Sequence, residues 1–323
     1  MKVAILGCGA MGTVLGAYMT KNGCDVEMID SYQAHVDALN EKGAHIVGTV
    51  DFTVPVKAVT PEQMEGIYDI VFLFTKQTAN DVVLPNLLPH LGPDSTVCTL
   101  QNGVPEPYVA SYVGESRTVG GTVLWGATFM EPGVSELTQD LSRNDHLFEI
   151  GEIDGSIGPH IKKVAEVLGY MGPTAVSDSL MASRWGKLIN NACMSYLGRE
   201  VKQCCEAAGY KLPILLHEQS PETLGIVDQA MFNADQEMFL TMYSDMRTAK
   251  ASMLQDLEKG KPTEVRMING YVCQTGDKYG IETPFNDKVV EIVTKIEKGE
   301  LPLSMDNVNL FDRKLFDYEL YHV

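Results

Sequence analysis

The chain has 323 residues, 45% of them hydrophobic, and a formal net charge of −18. That length allows two domains with cores of their own. An acidic chain without a basic block is a poor partner for nucleic acid or an anionic membrane surface, and no apolar run reaches the length of a membrane span.

Val3 to Leu6 is a short apolar run that opens directly into Gly7-x-Gly9-x-x-Gly12, and Thr13 to Met19 then reads as a helix. In that order each glycine has a task. Gly7 permits the tight turn off the strand, Gly9 lets a pyrophosphate approach the backbone, and Gly12 lets the helix pack closely. The N–H groups of Ala10, Met11 and Gly12 at the helix start, with its positive dipole end, suit phosphates. The plainer reading is a glycine-rich turn without ligand. A chain that starts in its first strand predicts no signal or transit peptide. The seven cysteines are odd in number and lack zinc spacing. They read as reduced, mostly buried thiols of a cytoplasmic protein, with no metal site. Cys8, inside the turn, is a poor candidate for a nucleophile.

Cys24 to Asp30 is a second strand ending in an acid about 20 residues past the glycines, the place for a carboxylate on the adenosine ribose. Ser31-Tyr32-Gln33-Ala34 supply no base to offset Asp30 against a 2′-phosphate. NAD is therefore expected, with NADP as the second option. Asp30 could instead only N-cap the next helix, and Lys42 could fold back. Ala44–Val47 and Phe52–Val56 read as a hairpin or edge extension, and Pro61-Glu62 as the start of a short helix.

Asp69 to Thr75 is apolar enough for a strand buried on both faces and ends in Lys76-Gln77. Asn80 to Leu91 reads as a helix ended near Pro85 or Pro89. Ser95 to Leu100 is another strand, ending in Gln101-Asn102-Gly103. Ligands of open α/β sheets sit beyond such strand ends. Lys76 and Asn102 are thus site candidates, against a solvent lysine and an ordinary Asn-Gly turn. Val119–Val123, Val134–Leu137 and Leu147–Gly151 read as antiparallel additions to the sheet, followed by a helix over Ile157–Leu168 and a short strand at Ala175-Val176.

Near residue 178 strand signals stop and helical periodicity takes over. Helices are expected over 179–197, over 222–259 in one or two pieces, over 263–279 and over 285–298, with a Pro-punctuated loop at 209–221 and a terminal arm at 311–323. The fold class is α/β: a Rossmann-type dinucleotide-binding domain over 1–178 and an all-helical substrate and dimerisation domain over 179–323, with a cleft between them. Apolar excess on the helices suggests a homodimer through this second domain.

Together these motifs resemble the ketopantoate reductase (2-dehydropantoate 2-reductase) family. The order is the N-terminal glycine triplet, Lys76, Asn102-Gly103, Lys187-Leu188-Ile189-Asn190-Asn191, Ser252-Met253-Leu254-Gln255-Asp256 and Thr263-Glu264. The resemblance implies an oxidoreductase that reduces a 2-keto acid to a D-2-hydroxy acid. Lys187 would be the general acid to the ketone oxygen, and Glu264 would bind substrate hydroxyls and help hold Lys187. Asn102, Asn191, Ser252 and Lys76 would contact substrate, with Lys76 and Asn102 also near the cofactor. The chemistry agrees, because hydride delivery builds negative charge on oxygen that an ammonium stabilises and protonates. By themselves these residues read as a snorkelling lysine, a helix N-terminal acid and a mid-helix serine. The chain departs from the family at Ser195, where a second Asn is common, at Asp30, where NADP-using members carry a base, and in the 209–221 insertion. Those departures keep open an NAD-dependent D-2-hydroxyacid dehydrogenase of branched or aromatic 2-keto acids. A cofactor-sensing binding protein without catalysis is the alternative from another class.

Overall fold

The computed structural model describes residues 1–192, 196–213, 237 and 251–312. The chain divides into two compact units, Met1–Leu180 and Met181–Val323. The first holds an eight-stranded sheet of β1 (Val3–Leu6), β2 (Val26–Ile29), β5 (Lys57–Val59), β6 (Tyr68–Leu73), β7 (Leu91–Thr99), β8 (Thr118–Val123), β11 (Phe148–Glu152) and β12 (Thr174–Val176). Their order is β12-β11-β8-β7-β6-β1-β2-β5. All neighbours are parallel except β8 and β11.

The inner strands are apolar on both faces because both are covered. Val3 and Ile5 of β1 pack with α1 (Ala10–Lys21), α2 (Gln33–Lys42) and α5 (Pro159–Leu168), whereas Ala4 and Leu6 pack with α3 (Asn80–Leu87) and α4 (Glu106–Val113). From β1 the chain builds outward through β2 to β5, then returns to β6 on the other side of β1. The carboxyl ends of β1 and β6 are therefore the topological switch point, where such sheets bind ligands.

The additions to the sheet differ from expectation. Only β11 pairs antiparallel with the main sheet. Val134–Leu137 forms β10 of a separate four-stranded sheet with β3 (Ala44–Gly48), β4 (Phe52–Val54) and β9 (Ala127–Glu131), in which β10 runs parallel to β3. This small sheet packs on α1, and α1 is accordingly buried along most of its length. Glu27 of β2 is nearly buried as well. It lies opposite Lys57 in register, within 3.7 Å of the Lys2 ammonium, and accepts the Tyr68 hydroxyl.

In the second unit, the single helix expected over 179–197 is α6 (Leu180–Ala192) and α7 (Tyr196–Ala207), with 193–195 outside the described residues. Of the helix expected over 222–259, α8 (Ser252–Glu258) is described. α9 (Asn269–Tyr279) starts six residues later than the periodicity suggests. Thr263 is diverted by bonds from its N–H and Oγ1 to Glu297 of α10 (Pro284–Glu297), and a turn closes through Met267 N–H to the Glu264 carbonyl at 2.9 Å.

α10 receives its cap from another helix. Buried Glu200 of α7 accepts the N–H groups of Phe285 at 2.8 Å and Asn286 at 2.9 Å, while Thr283 makes no side-chain cap. Burial pushes the Glu200 carboxyl up to about 7, against those hydrogen bonds. The folded state thus holds this proton more tightly than the unfolded chain, whose Glu titrates near ~4.3. Its contribution to stability is full below that value and is lost as pH rises through about 7. Thermal unfolding across this window should show a component of Tm that declines with rising pH and is absent in Glu200→Gln. An unchanged slope in the variant would assign the decline to other groups.

Candidate active site

Gly7 ends β1 with φ +99°, and a Cβ there would lie 2.5 Å from the Thr75 nitrogen after β6. The turns after β1 and β6 therefore touch at the switch point, and glycine is what lets them. A Cβ on Gly12 would drive into the Gly7 carbonyl oxygen, so the first turn of α1 rests on the glycine turn itself. A Cβ on Gly9 would meet nothing within 4 Å. The turn is thus tight on its protein side and open on the other. Gly9 is the N-cap of α1, no side chain caps the helix, and its first turn holds no acid. The N-terminal N–H groups, including those of Ala10 and Met11, remain available, as an anion site requires. This geometry fits a dinucleotide pyrophosphate.

Asp30 follows β2 and is bound into the same corner. Gly7 N–H donates to the Ile29 carbonyl at 2.8 Å, and Cys8 N–H to the same oxygen at 3.3 Å. Asp30 Oδ1 accepts the Tyr32 N–H at 2.9 Å, a local Asx turn, and Asp30 is half-buried. Cys8 is fully buried, and burial first, then the Asp30 charge, raises its thiol well above the ordinary value. That makes it inert, in line with the sequence reading.

Lys76 and Asn102 come from the adjoining ends of β6 and β7. Buried Gln101 ties these loops together, donating to the Thr75 carbonyl at 2.7 Å and exchanging amide hydrogen bonds with Asn80 at 2.8 and 3.2 Å. Gln77 adds a bond from its Nε2 to the Asn102 carbonyl. Both Lys76 and Asn102 are half-buried. The structure thus brings the glycine turn, Asp30, Lys76 and Asn102 to one edge of the first unit. Gln101 and Asn80 are the brace that sequence reasoning missed, because an amide at a strand tip also reads as a turn residue.

In the second unit Lys187 lies on α6 beside buried Trp185, Leu188 and Ile189, with its own side chain half-buried. Burial, and then the charge of Arg184 one turn earlier, lower its pKa. Arg184 is only 1% exposed, and nothing in the periodicity distinguished it. Asn191, one turn after Lys187, buries its Nδ2, which has no hydrogen-bond partner among the described residues. Glu264 is buried in the turn before α9 and so is not the helix-terminal acid its sequence position suggested. α6 packs on α9 through Trp185 and Tyr271, whose ring centroids are 5.5 Å apart. Ser252 opens α8 and is exposed. Ser195 lies outside the described residues, as do 214–221 of the insertion and 313–323 of the arm. No group of three or more metal-ligating side chains occurs among the described residues, and none of their helices is long and apolar enough to cross a membrane.

Residues 3–153 match the family model described as ketopantoate reductase PanE/ApbA, and residues 170–297 match that of its C-terminal part. The 2-dehydropantoate 2-reductase of Pyrococcus abyssi is 31% identical over 295 residues, 88% of this chain and 94% of that protein. The enzyme of the same name from Streptococcus pyogenes serotype M1 is 28% identical over 307 residues, 91% of this chain and 97% of that protein. Among solved structures, a D-mandelate dehydrogenase with NADH and anilino(oxo)acetate has a similar fold, with TM-score 0.75 and 22% identity over 93% of this chain and 99% of its own. A PanE/ApbA family ketopantoate reductase from Ralstonia eutropha gives TM-score 0.74 and 23% identity over the same shares.

Proposed function

The chain belongs to the ketopantoate reductase family, and from that premise we propose that it reduces 2-dehydropantoate, a 2-keto acid, to the D-2-hydroxy acid with a nicotinamide dinucleotide. The observation that carries this reading is the cradle at the β1–β6 switch point, closed by Gly7 and Gly12 and open at Gly9. When bound, the cofactor supplies a hydride to the substrate's carbonyl carbon.

The chain's own residues do the rest. The glycine turn and the start of α1 hold the pyrophosphate, and Lys76 and Asn102 border the nicotinamide end. The Lys187 ammonium neutralises and protonates the ketone oxygen as charge develops there. Its lowered pKa suits a general acid, which donates best when its pKa lies near the working pH. Asn191 offers its Nδ2, which has no partner among the described residues, to the substrate or to Lys187. Glu264 and Ser252 take the substrate's hydroxyl and carboxylate, and Ser195 is the further substrate contact of this reading.

For the cofactor we infer NAD. Asp30 borders the glycine turn, and no Lys or Arg occurs over 31–34 to hold a 2′-phosphate. NADH should bind more tightly than NADPH in a fluorescence titration, and Asp30→Arg should narrow or reverse the difference. A wild type that prefers NADPH would overturn this assignment. The same absence of a base supports a second reading, an NAD-dependent D-2-hydroxyacid dehydrogenase of branched or aromatic substrates. A steady-state screen of 2-keto acids separates the two by which substrate gives the higher kcat/KM.

A further inference from the structure

We propose that His35 is a positioning residue for the cofactor, setting the orientation of the Cys8–Gly9 peptide so that the Gly9 N–H faces the bound pyrophosphate. The proposal rests on the dinucleotide site assigned above to the glycine turn.

His35 is on α2, fully buried, and bridges three parts of the first unit. Its Nδ1 accepts the backbone N–H of Gly133, in the turn between β9 and β10, at 2.9 Å. A ring nitrogen that accepts carries no proton, so in the neutral ring the proton is on Nε2. Nε2–H then donates to the Cys8 carbonyl at 2.7 Å, with the Thr13 hydroxyl of α1 at 3.1 Å. Thr13 Oγ1 donates to the same carbonyl at 2.7 Å. Two donors from behind thus hold the Cys8 carbonyl inward.

The consequence follows from peptide geometry. The Cys8–Gly9 bond is trans, like every other in the described chain, so its C=O and N–H point in opposite directions. With the carbonyl held inward, the Gly9 N–H points to the side where a Gly9 Cβ would meet nothing. Among the described residues that N–H has no acceptor. The orientation is in place before the cofactor arrives, and this preorganisation lowers the cost of binding.

Protonation would disrupt it. A second ring N–H at Nδ1 would confront the Gly133 N–H, and the ring or the β9–β10 turn would have to move. The groups around the ring set where this happens. Asp30 is the charged group that acts on it and favours the proton. α1 contributes the Thr13 hydroxyl, the glycine turn the Cys8 carbonyl and its neutral thiol, and β9 the edge-packed Phe129 ring at 5.0 Å. Burial outweighs Asp30 and moves the titration below the ordinary histidine value.

The test is equilibrium NADH binding by fluorescence between pH 5 and 8, on wild type, His35→Leu and His35→Gln. Gln can accept from Gly133 with Oε1 and donate to Cys8 with Nε2, but does not titrate. Wild type should bind NADH more weakly as pH falls through the His35 titration, which burial places below the ordinary histidine value. His35→Leu should weaken binding at pH 7.5 by about tenfold, the scale of a lost buried hydrogen bond, with kcat at saturating NADH within about twofold of wild type. His35→Gln should recover most of the affinity and lose the acidic limb. Either an unchanged NADH Kd in soluble His35→Leu or an acidic limb retained in His35→Gln overturns the proposal. If His35→Leu does not fold, the limb in His35→Gln decides. A wild type that binds neither NADH nor NADPH would instead overturn the cofactor site itself.

Discussion

Lys187→Ala should lower kcat by about a hundred- to ten-thousand-fold, the range general acid catalysis commonly spans. In the role proposed for Lys187, two contributions disappear together, the proton donor and the positive charge facing a developing alkoxide. Both are strengthened by position, since Lys187 is flanked by Leu188 and Ile189, which are at most 1% exposed, and attraction for a new anion grows as water is excluded. The sign of the pH effect follows. Only protonated Lys187 is a donor, so wild-type kcat should fall as pH rises through its pKa. Burial and Arg184 hold that pKa below the ordinary lysine value, so the fall should begin earlier than for a free lysine. Lys187→Arg, which keeps the charge but does not release a proton in this range, should remain slow while losing the alkaline limb. NADH affinity should change little in either variant, because the glycine turn and Asp30 belong to the other unit. Steady-state rates with a cofactor titration check each point. A near-normal kcat in Lys187→Ala would return this residue to a snorkelling role.

Gly9→Ala and Gly12→Ala should both cost NADH affinity roughly ten- to a hundredfold, the scale of overpacking a tight contact, but for opposite reasons. At Gly12 a methyl group would meet the Gly7 carbonyl, where backbone faces backbone and no rotamer relieves the clash. That variant should lose thermal stability as well as binding. At Gly9 the protein leaves the methyl group room, and φ is −62°, open to any residue. That variant should unfold at the wild-type temperature and fail only in binding, because the methyl group takes the space the pyrophosphate needs. Differential scanning fluorimetry with and without NADH separates the cases. If Gly9→Ala binds NADH as wild type does, the open face is not where the pyrophosphate lies.

What was legible in the sequence was local. A glycine triplet between a strand and a helix states its own geometry, and an apolar run such as Ile70 to Leu73 announces a strand covered on both faces. The α/β class followed, and the motif order pointed to the family that the matched segments bear out. What was not legible depends on partners distant in the chain. β10 alternates like any edge strand, yet it pairs with β3 almost ninety residues earlier and packs on α1. Thr263 and Glu264 look helical by period, but the bonds from Thr263 to Glu297 hold the chain off until Asn269. His35 looks like one more polar residue on a short helix, until Gly133 and Cys8 are seen on either side of its ring. Gln101 and Arg184 are the same case, since burial is what distinguishes them.

We propose that this chain transfers hydride from a nicotinamide to a 2-keto acid, with Lys187 as proton donor. A single-turnover experiment tests it most directly: the NADH complex of the wild type is mixed with excess 2-dehydropantoate, the reduced-cofactor absorbance is followed, and the product is resolved by chiral chromatography. One equivalent of NADH per bound site should be lost and the D-hydroxy acid alone should form, with Lys187→Ala retaining its bound NADH over the same interval. Stable NADH binding with no oxidation by 2-dehydropantoate or by branched or aromatic 2-keto acids would contradict it and leave a cofactor-binding protein without this chemistry.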